Sequence, residues 1–184
     1  MDGRTEIRLA GEGGQGMILA GIILAEAAAI HEGKQVTQTQ SYGPESRGGA
    51  SRSEVVISDI EIDHPEVLCP DIVVALGQEA YNKFAGSVRP GGMLIVDGDA
   101  VETRADFSGV KVPIARLAQE TTGRAITANT VALGVLVGLT GLVSREAIEK
   151  AVMARAPRGT EEMNHKALHA GFAAAEQVRK GTPA

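Results

Sequence analysis

Two uninterrupted apolar runs, Ile72-Val73-Val74-Ala75-Leu76 and Met93-Leu94-Ile95-Val96, constrain the fold more than any other feature of this sequence. Neither alternates between apolar and polar, so each reads as a strand buried on both faces. A sheet built on such strands needs helices over it. Four further strands are expected over residues 7–10, 35–40, 53–58 and 110–114, the last pushed toward an edge or a strand end by Pro113. Helices are expected over 16–31, 79–85, 127–142, 144–156 and 161–179, with Ser144 as an N-cap but Ala147 where a capping box would place Glu or Gln. The alternation of strand and helix predicts an α/β fold, a three-layer α/β/α sandwich on a mostly parallel, mixed sheet. Residues 1–184 read as a single domain with a flexible tail at 181–184.

Composition narrows the function classes. Trp is absent and only two Tyr and three Phe occur, so aliphatic and Ala packing must build the core. A net charge of −5 without a basic cluster argues against a nucleic-acid partner. Cys69 is the single cysteine and can form neither an intrachain disulfide nor a cysteine metal cage; it reads as a buried, inert thiol. Residues 1–8 are too charged for a signal sequence, and the apolar stretch 130–143 is shorter than the ~20 residues of a membrane span. A cytoplasmic protein with no membrane partner is expected. The stretch 127–142 is apolar almost all round, so it is either the central core helix or a surface held by a partner.

Between the first strand and first helix lies Gly11-Glu12-Gly13-Gly14-Gln15-Gly16, a Rossmann-like glycine loop. Glycines there permit a tight turn and close approach to the backbone, and the helix end behind them offers free N–H groups to an anion. A dinucleotide site would also need a carboxylate at the end of the second strand to hold the ribose. This chain has Gln38-Thr39-Gln40-Ser41-Tyr42 there, and Glu32 lies at the wrong end. The loop therefore reads as a cradle for an anionic ligand or partner loop, or as a tight junction and nothing more.

A second segment, Ser41-Tyr42-Gly43-Pro44-Glu45-Ser46-Arg47-Gly48-Gly49, carries more chemistry than a connector requires. Tyr42, Glu45 and Arg47 suggest recognition; Arg47 could grip a carboxylate or phosphate, although a solvent pair with Glu45 is the simpler reading. The two segments, in this order and at this separation, closely resemble the gamma subunit of 2-oxoacid:ferredoxin oxidoreductases. The resemblance runs over nearly the whole chain, through Ser51, Ser53, Pro65, the Cys69-Pro70-Asp71 stretch, Pro90-Gly91-Gly92 and Asn164.

The resemblance implies a non-catalytic subunit of a complex that oxidatively decarboxylates a 2-oxoacid, forms acyl-CoA and sends electrons to ferredoxin. Thiamine diphosphate and iron–sulfur clusters would reside on partner alpha and beta subunits, with a delta subunit also conceivable. This chain would contribute contacts to coenzyme A and to its partners through Gly11, Gly13, Gly14, Gln15, Gly16, Tyr42, Gly43, Glu45, Arg47, Gly48 and Gly49, with no catalytic residue of its own. Within the family it looks most like the 2-oxoglutarate type, with indolepyruvate and branched-chain types as alternatives. A nucleotide-binding regulatory or scaffold module and a small NAD(P)-dependent oxidoreductase are the competing classes, and the isolated chain could form a homodimer.

Two further groups invite a site reading. His165 and His169, four apart on one helix face, have the spacing of a zinc pair, but no Glu follows His165 and no third ligand is visible, so no metal is expected. Asp97 and Asp99 end a buried strand, where α/β proteins place ligand residues; Asx turns are the favoured reading.

Overall fold

The computed structural model describes residues 3–42 and 49–181. Six strands form one sheet: β1 (Arg4–Gly11), β2 (Gln35–Ser41), β3 (Ser51–Ser58), β4 (Ile72–Ala75), β5 (Met93–Asp97) and β6 (Val110–Val112). Their spatial order is β2-β3-β1-β4-β5-β6. β1, β4, β5 and β6 run parallel, with Ile7 opposite Ile72 and Ala10 opposite Ala75. β3 pairs antiparallel with both β1 and β2, so the sheet is mixed. The expected class, an α/β fold on a mostly parallel mixed sheet, is what the chain adopts.

Among the described residues the α-helices are α1 (Met17–Glu32), α2 (Gln78–Phe84), α3 (Ile114–Thr122), α4 (Ala128–Thr140), α5 (Arg145–Arg155) and α6 (Glu161–Arg179). They load the sheet unequally. On one face α1 and α3 to α6 close over Ile7, Leu9, Val55, Val74 and Ile95. On the other, Ala80, Tyr81 and Phe84 of α2, with Ala50, Ala85 and Val101 from the connecting segments, pack against Ala10, Val73, Leu94 and Val96. Helix α4 is the centre of the thick layer: every residue from 128 to 138 is buried, which makes it a core helix and not a partner surface. Ser144 caps α5 as expected, its hydroxyl accepting from the Ala147 N–H at 3.1 Å.

Three expectations need correction. The last strand stops at Val112 and not at residue 114, because Pro113 has no N–H for the ladder and serves as the N-cap of α3, a helix the sequence reading omitted. Cys69 is exposed. The loop turns inward at Val67 and Pro70, which are buried, leaving Leu68 and Cys69 on the outside. And α1 is buried along one face only, with Leu19 and Ile30 40% and 69% exposed.

Polar anchors hold the ends of the sheet. Arg8 and Glu54 form a buried ion pair across β1 and β3, and Arg8 also donates to the Val67 carbonyl and the Ser87 hydroxyl. With its donors used in this way the buried guanidinium is tolerable. Asp97, 1% exposed, accepts from the N–H groups of Asp99 and Ala100 on one oxygen and of Ala115 on the other. It thus closes an Asx turn and seats the start of α3, while Asp99 pairs with Arg116. Among the described residues no helix is long and apolar enough to cross a membrane. Of the expected tail, residues 182–184 lie outside the described residues.

Candidate functional site

The glycine loop stands where β1 ends and α1 begins. Gly14 and Gly16 hold φ of 90° and 71°, the left-handed region that side chains avoid, and Gly16 caps α1 without any side-chain hydrogen bond to its first turn. The first-turn N–H groups and the positive end of the helix dipole are therefore left to whatever approaches from outside. Gln15 works inward: its carbonyl accepts from Glu12 N–H at 2.7 Å and its amide donates to the Leu76 carbonyl at 3.3 Å, tying the loop to the end of β4. Gly11 is closely walled, since a Cβ there would stand 2.7 Å from Gln15 Oε1 and 2.8 Å from Met17 Cγ. Gly13 and Gly14 are open, and a Cβ on either would meet nothing within 4 Å.

A groove of about 490 Å³ opens over this loop. Gly13, Gly14 and Gly16 form one end, Met17, Ile18, Leu19 and Ile22 of α1 form its wall, and Tyr42, Gly49 and Ser51 border it from the second segment. The structure thus brings the described ends of the second segment beside the glycine loop. Tyr42 is 68% exposed at the rim. Gly43, Glu45, Arg47 and Gly48 lie outside the described residues. Where the chain returns, Ala50 N–H donates to Glu79 at 3.2 Å and the Ser51 hydroxyl donates to the Gly11 carbonyl at 3.1 Å, so α2 and the loop itself anchor the segment's far end.

Among the described residues that line the groove none is charged. An anion entering it would meet backbone N–H groups and a helix end rather than a side-chain charge, and its wall is aliphatic. The apolar strip continues down α1, where Ile22, Ala25, Ala29 and Ile30 border a second hollow against Val36 of β2. A surface of this kind suits a partner chain or the apolar body of a large ligand.

Two residues that the sequence reading passed over hold the loop from below. Asn129, at the start of α4, donates to the Gly16 carbonyl at 3.4 Å, and its own carbonyl accepts from Thr130 N–H at 2.9 Å. The Thr130 hydroxyl reaches Asn164 Oδ1 of α6 at 3.1 Å, and the Asn164 amide donates to the Thr160 carbonyl at 3.0 Å. Asn129 and Thr130 are buried, 7% and 2% exposed. This chain of bonds gives Asn164 a physical role. Polar Thr127, Asn129 and Thr130 opening an otherwise apolar run were the available signal.

The topology also accounts for the missing ribose carboxylate. In a dinucleotide unit the second parallel strand lies beside the first and ends in the acid. Here antiparallel β3 occupies that place next to β1, and β2 lies one strand further out on the edge. The end of β2 is not positioned as a ribose holder, whatever residue it carried.

Comparison with known proteins agrees with this geometry. Residues 6–174 match the family described as pyruvate ferredoxin/flavodoxin oxidoreductase. The chain is 50% identical over 179 residues to the 2-oxoglutarate synthase subunit KorC of Methanocaldococcus jannaschii, covering 95% of this chain and 96% of that one. A solved gamma subunit of a keto/oxoacid ferredoxin oxidoreductase from Geobacter sulfurreducens superposes with a TM-score of 0.83 at 49% identity, over 94% of this chain and 98% of its own. The 2-oxoglutarate:ferredoxin oxidoreductase of Magnetococcus marinus, solved with 2-oxoglutarate, coenzyme A and succinyl-CoA, gives 0.86 at 26% identity, matching all of this chain and 33% of its own. The two glycine segments, the mixed sheet behind them and these matches lead to one assignment: the chain belongs to the pyruvate ferredoxin/flavodoxin oxidoreductase family.

Proposed function

We propose that this chain is the gamma-type subunit of a 2-oxoglutarate:ferredoxin oxidoreductase, working in a cytoplasmic complex with alpha and beta subunits that carry thiamine diphosphate and iron–sulfur clusters. The observation that carries the reading is the end-to-end match, at 50% identity, to a relative named 2-oxoglutarate synthase subunit KorC. A lone Cys69 cannot ligate a four-cysteine cluster, so redox centres belong to neighbours. The chain's own contribution is a groove. Its open Gly13 and Gly14 backbone accepts a phosphate of coenzyme A or a partner loop, with Arg47 supplying the cation that the described lining lacks. The aliphatic face of α1, from Leu19 to Ile30, packs on a partner subunit.

Co-expression with its partners tests the proposal. The complex should retain this chain through purification and reduce ferredoxin or a viologen dye only when both 2-oxoglutarate and coenzyme A are supplied. Pyruvate should serve poorly. Purification of the chain alone, with no thiamine- or cluster-bearing partner, would overturn the assignment to a complex, and a preference for pyruvate would overturn the substrate.

A further inference from the structure

His165 and His169 lie one turn apart on α6, and the structure supplies the third group that the sequence did not reveal. Glu149 of α5 brings its Oε1 to 3.0 Å from His165 Nε2 and 3.8 Å from His169 Nε2. The two imidazoles are stacked, with centroids 4.2 Å apart, so their outer nitrogens share one side. All three ligand atoms fall within 4.8 Å of one another. A cation held at ~2.0–2.2 Å by nitrogen and oxygen needs its ligands about 3.3 Å apart, so the separations seen here bracket the requirement.

The neighbouring cations each have their own carboxylate partner, although Glu162 also feels the charge of His165. Lys150 pairs with Glu146, Lys166 with Glu162 and Arg145 with Glu176. The hydrogen bond from each cation, and then its charge, holds these three carboxyls below the ordinary carboxylate range. Arg145, one turn before Glu149, is turned away over the Phe172 ring at 4.8 Å. Phe172 packs T-shaped against His169, with ring centroids 5.6 Å apart. An oriented imidazole pair facing a carboxylate on a second helix is the donor set of a borderline divalent metal and not of magnesium or calcium.

We propose that Glu149, His165 and His169 form a zinc-class divalent cation site that clips α5 to α6, with the fourth position open to solvent. The site lies outside the groove described above, and its ligands leave the thiamine, cluster and coenzyme A chemistry of the complex to other residues. Its effect is mechanical. It joins two outer helices, and its α6 half begins one residue after Asn164, the last side chain in the bonds that run back to the glycine loop.

The test is calorimetric titration of Zn²⁺ into the chelator-treated full chain carrying Cys69→Ser, which removes the exposed thiol as a competing ligand. One equivalent should bind, and the thermal midpoint should rise with Zn²⁺ but not with the same concentration of Mg²⁺. Adding His165→Ala should weaken binding by at least ~100-fold, beyond what an outer-shell partner is worth, and abolish the midpoint shift. Glu149→Gln, which removes no packing from Phe172, should weaken it as well. No binding by the Cys69→Ser chain, binding undiminished by His165→Ala with His169→Ala, or an equal response to Mg²⁺ would each overturn the site.

Discussion

Gly134 and Gly171 face one another where α4 crosses α6, whereas Gly13 and Gly14 stand in open space above the start of α1. A Cβ on Gly134 would press on the Leu168 carbonyl and come within 2.9 Å of Gly171 Cα; one on Gly171 would press on the Val131 carbonyl and come within 2.8 Å of Val135 N. A Cβ on Gly13 or Gly14 would touch nothing within 4 Å. The same residue type thus serves two ends. In the core its lack of a side chain lets two backbones meet, and at the loop it keeps a backbone approachable. The first should be read out in stability and the second in function.

The largest effect is expected at the helix crossing. Helix propensity alone would favour alanine at residue 171 by about 1 kcal/mol. Overpacking opposes it by ~1–3 kcal/mol or more, and here the obstructing atoms are backbone on another helix, which cannot step aside as a side chain can. With the upper end of that cost, Gly171→Ala should lose about 2 kcal/mol net, lowering the melting midpoint by roughly 4–8 °C for a chain of this size. A calorimetric scan showing a loss under 1 °C would mean the crossing is looser than its geometry states.

Next comes Asn129, which joins the two regions. Asn129→Ala strips the Gly16 carbonyl of its side-chain donor and the Thr130 N–H of its acceptor in a buried setting, at a cost of about 1–2 kcal/mol. Backbone amide exchange in residues 11–16 should quicken beyond the global change. If only the global rate rose, the link from α4 to the loop would carry no local support.

How far the sequence foretold these two regions differs in the same way. All six strands were legible, because apolar runs such as 72–76 and alternating stretches such as 35–40 are local patterns. The glycine loop and the second segment stood out by their local composition, and the structure places Gly13, Gly14, Gly16, Tyr42 and Gly49 about one groove. What stayed hidden depends on pairs of residues far apart in the chain. Nothing near Gly134 announces Gly171, nothing near His165 announces Glu149, and no local pattern tells that β3 inserts between β1 and β2. Helix α3 was missed for a local reason: it is short, ends in Thr121-Thr122, and begins directly after a proline that had been read as a strand end.

At the loop, Gly14 and Gly13 separate two meanings of an open glycine. Gly14 holds φ of 90°, so Gly14→Ala should cost about 1–2 kcal/mol through backbone strain alone, although the methyl meets no neighbour. Urea unfolding with an unchanged slope and a lower midpoint is the expected record. A variant as stable as the parent would show that the loop relaxes to negative φ at little cost.

Gly13 is the sharpest case because neither space nor backbone angle requires glycine there. Its φ is not positive, and its Cβ direction is empty. Gly13→Ala should leave the isolated chain's stability within about 0.5 kcal/mol of the parent. In the assembled complex the methyl is added to a residue that lines the groove at the start of α1, where by the proposal a phosphate or partner loop comes within hydrogen-bond distance. The expected result is an unchanged melting curve for the chain with either a raised KM for coenzyme A or reduced retention of the subunit. Those two outcomes divide the proposal, since a raised KM assigns the loop to the ligand and reduced retention assigns it to a neighbouring subunit. Unchanged kinetics with full retention would leave Gly13 without a purpose that the structure can supply, and the loop would stand as a tight strand-to-helix junction whose remaining glycines serve its own backbone.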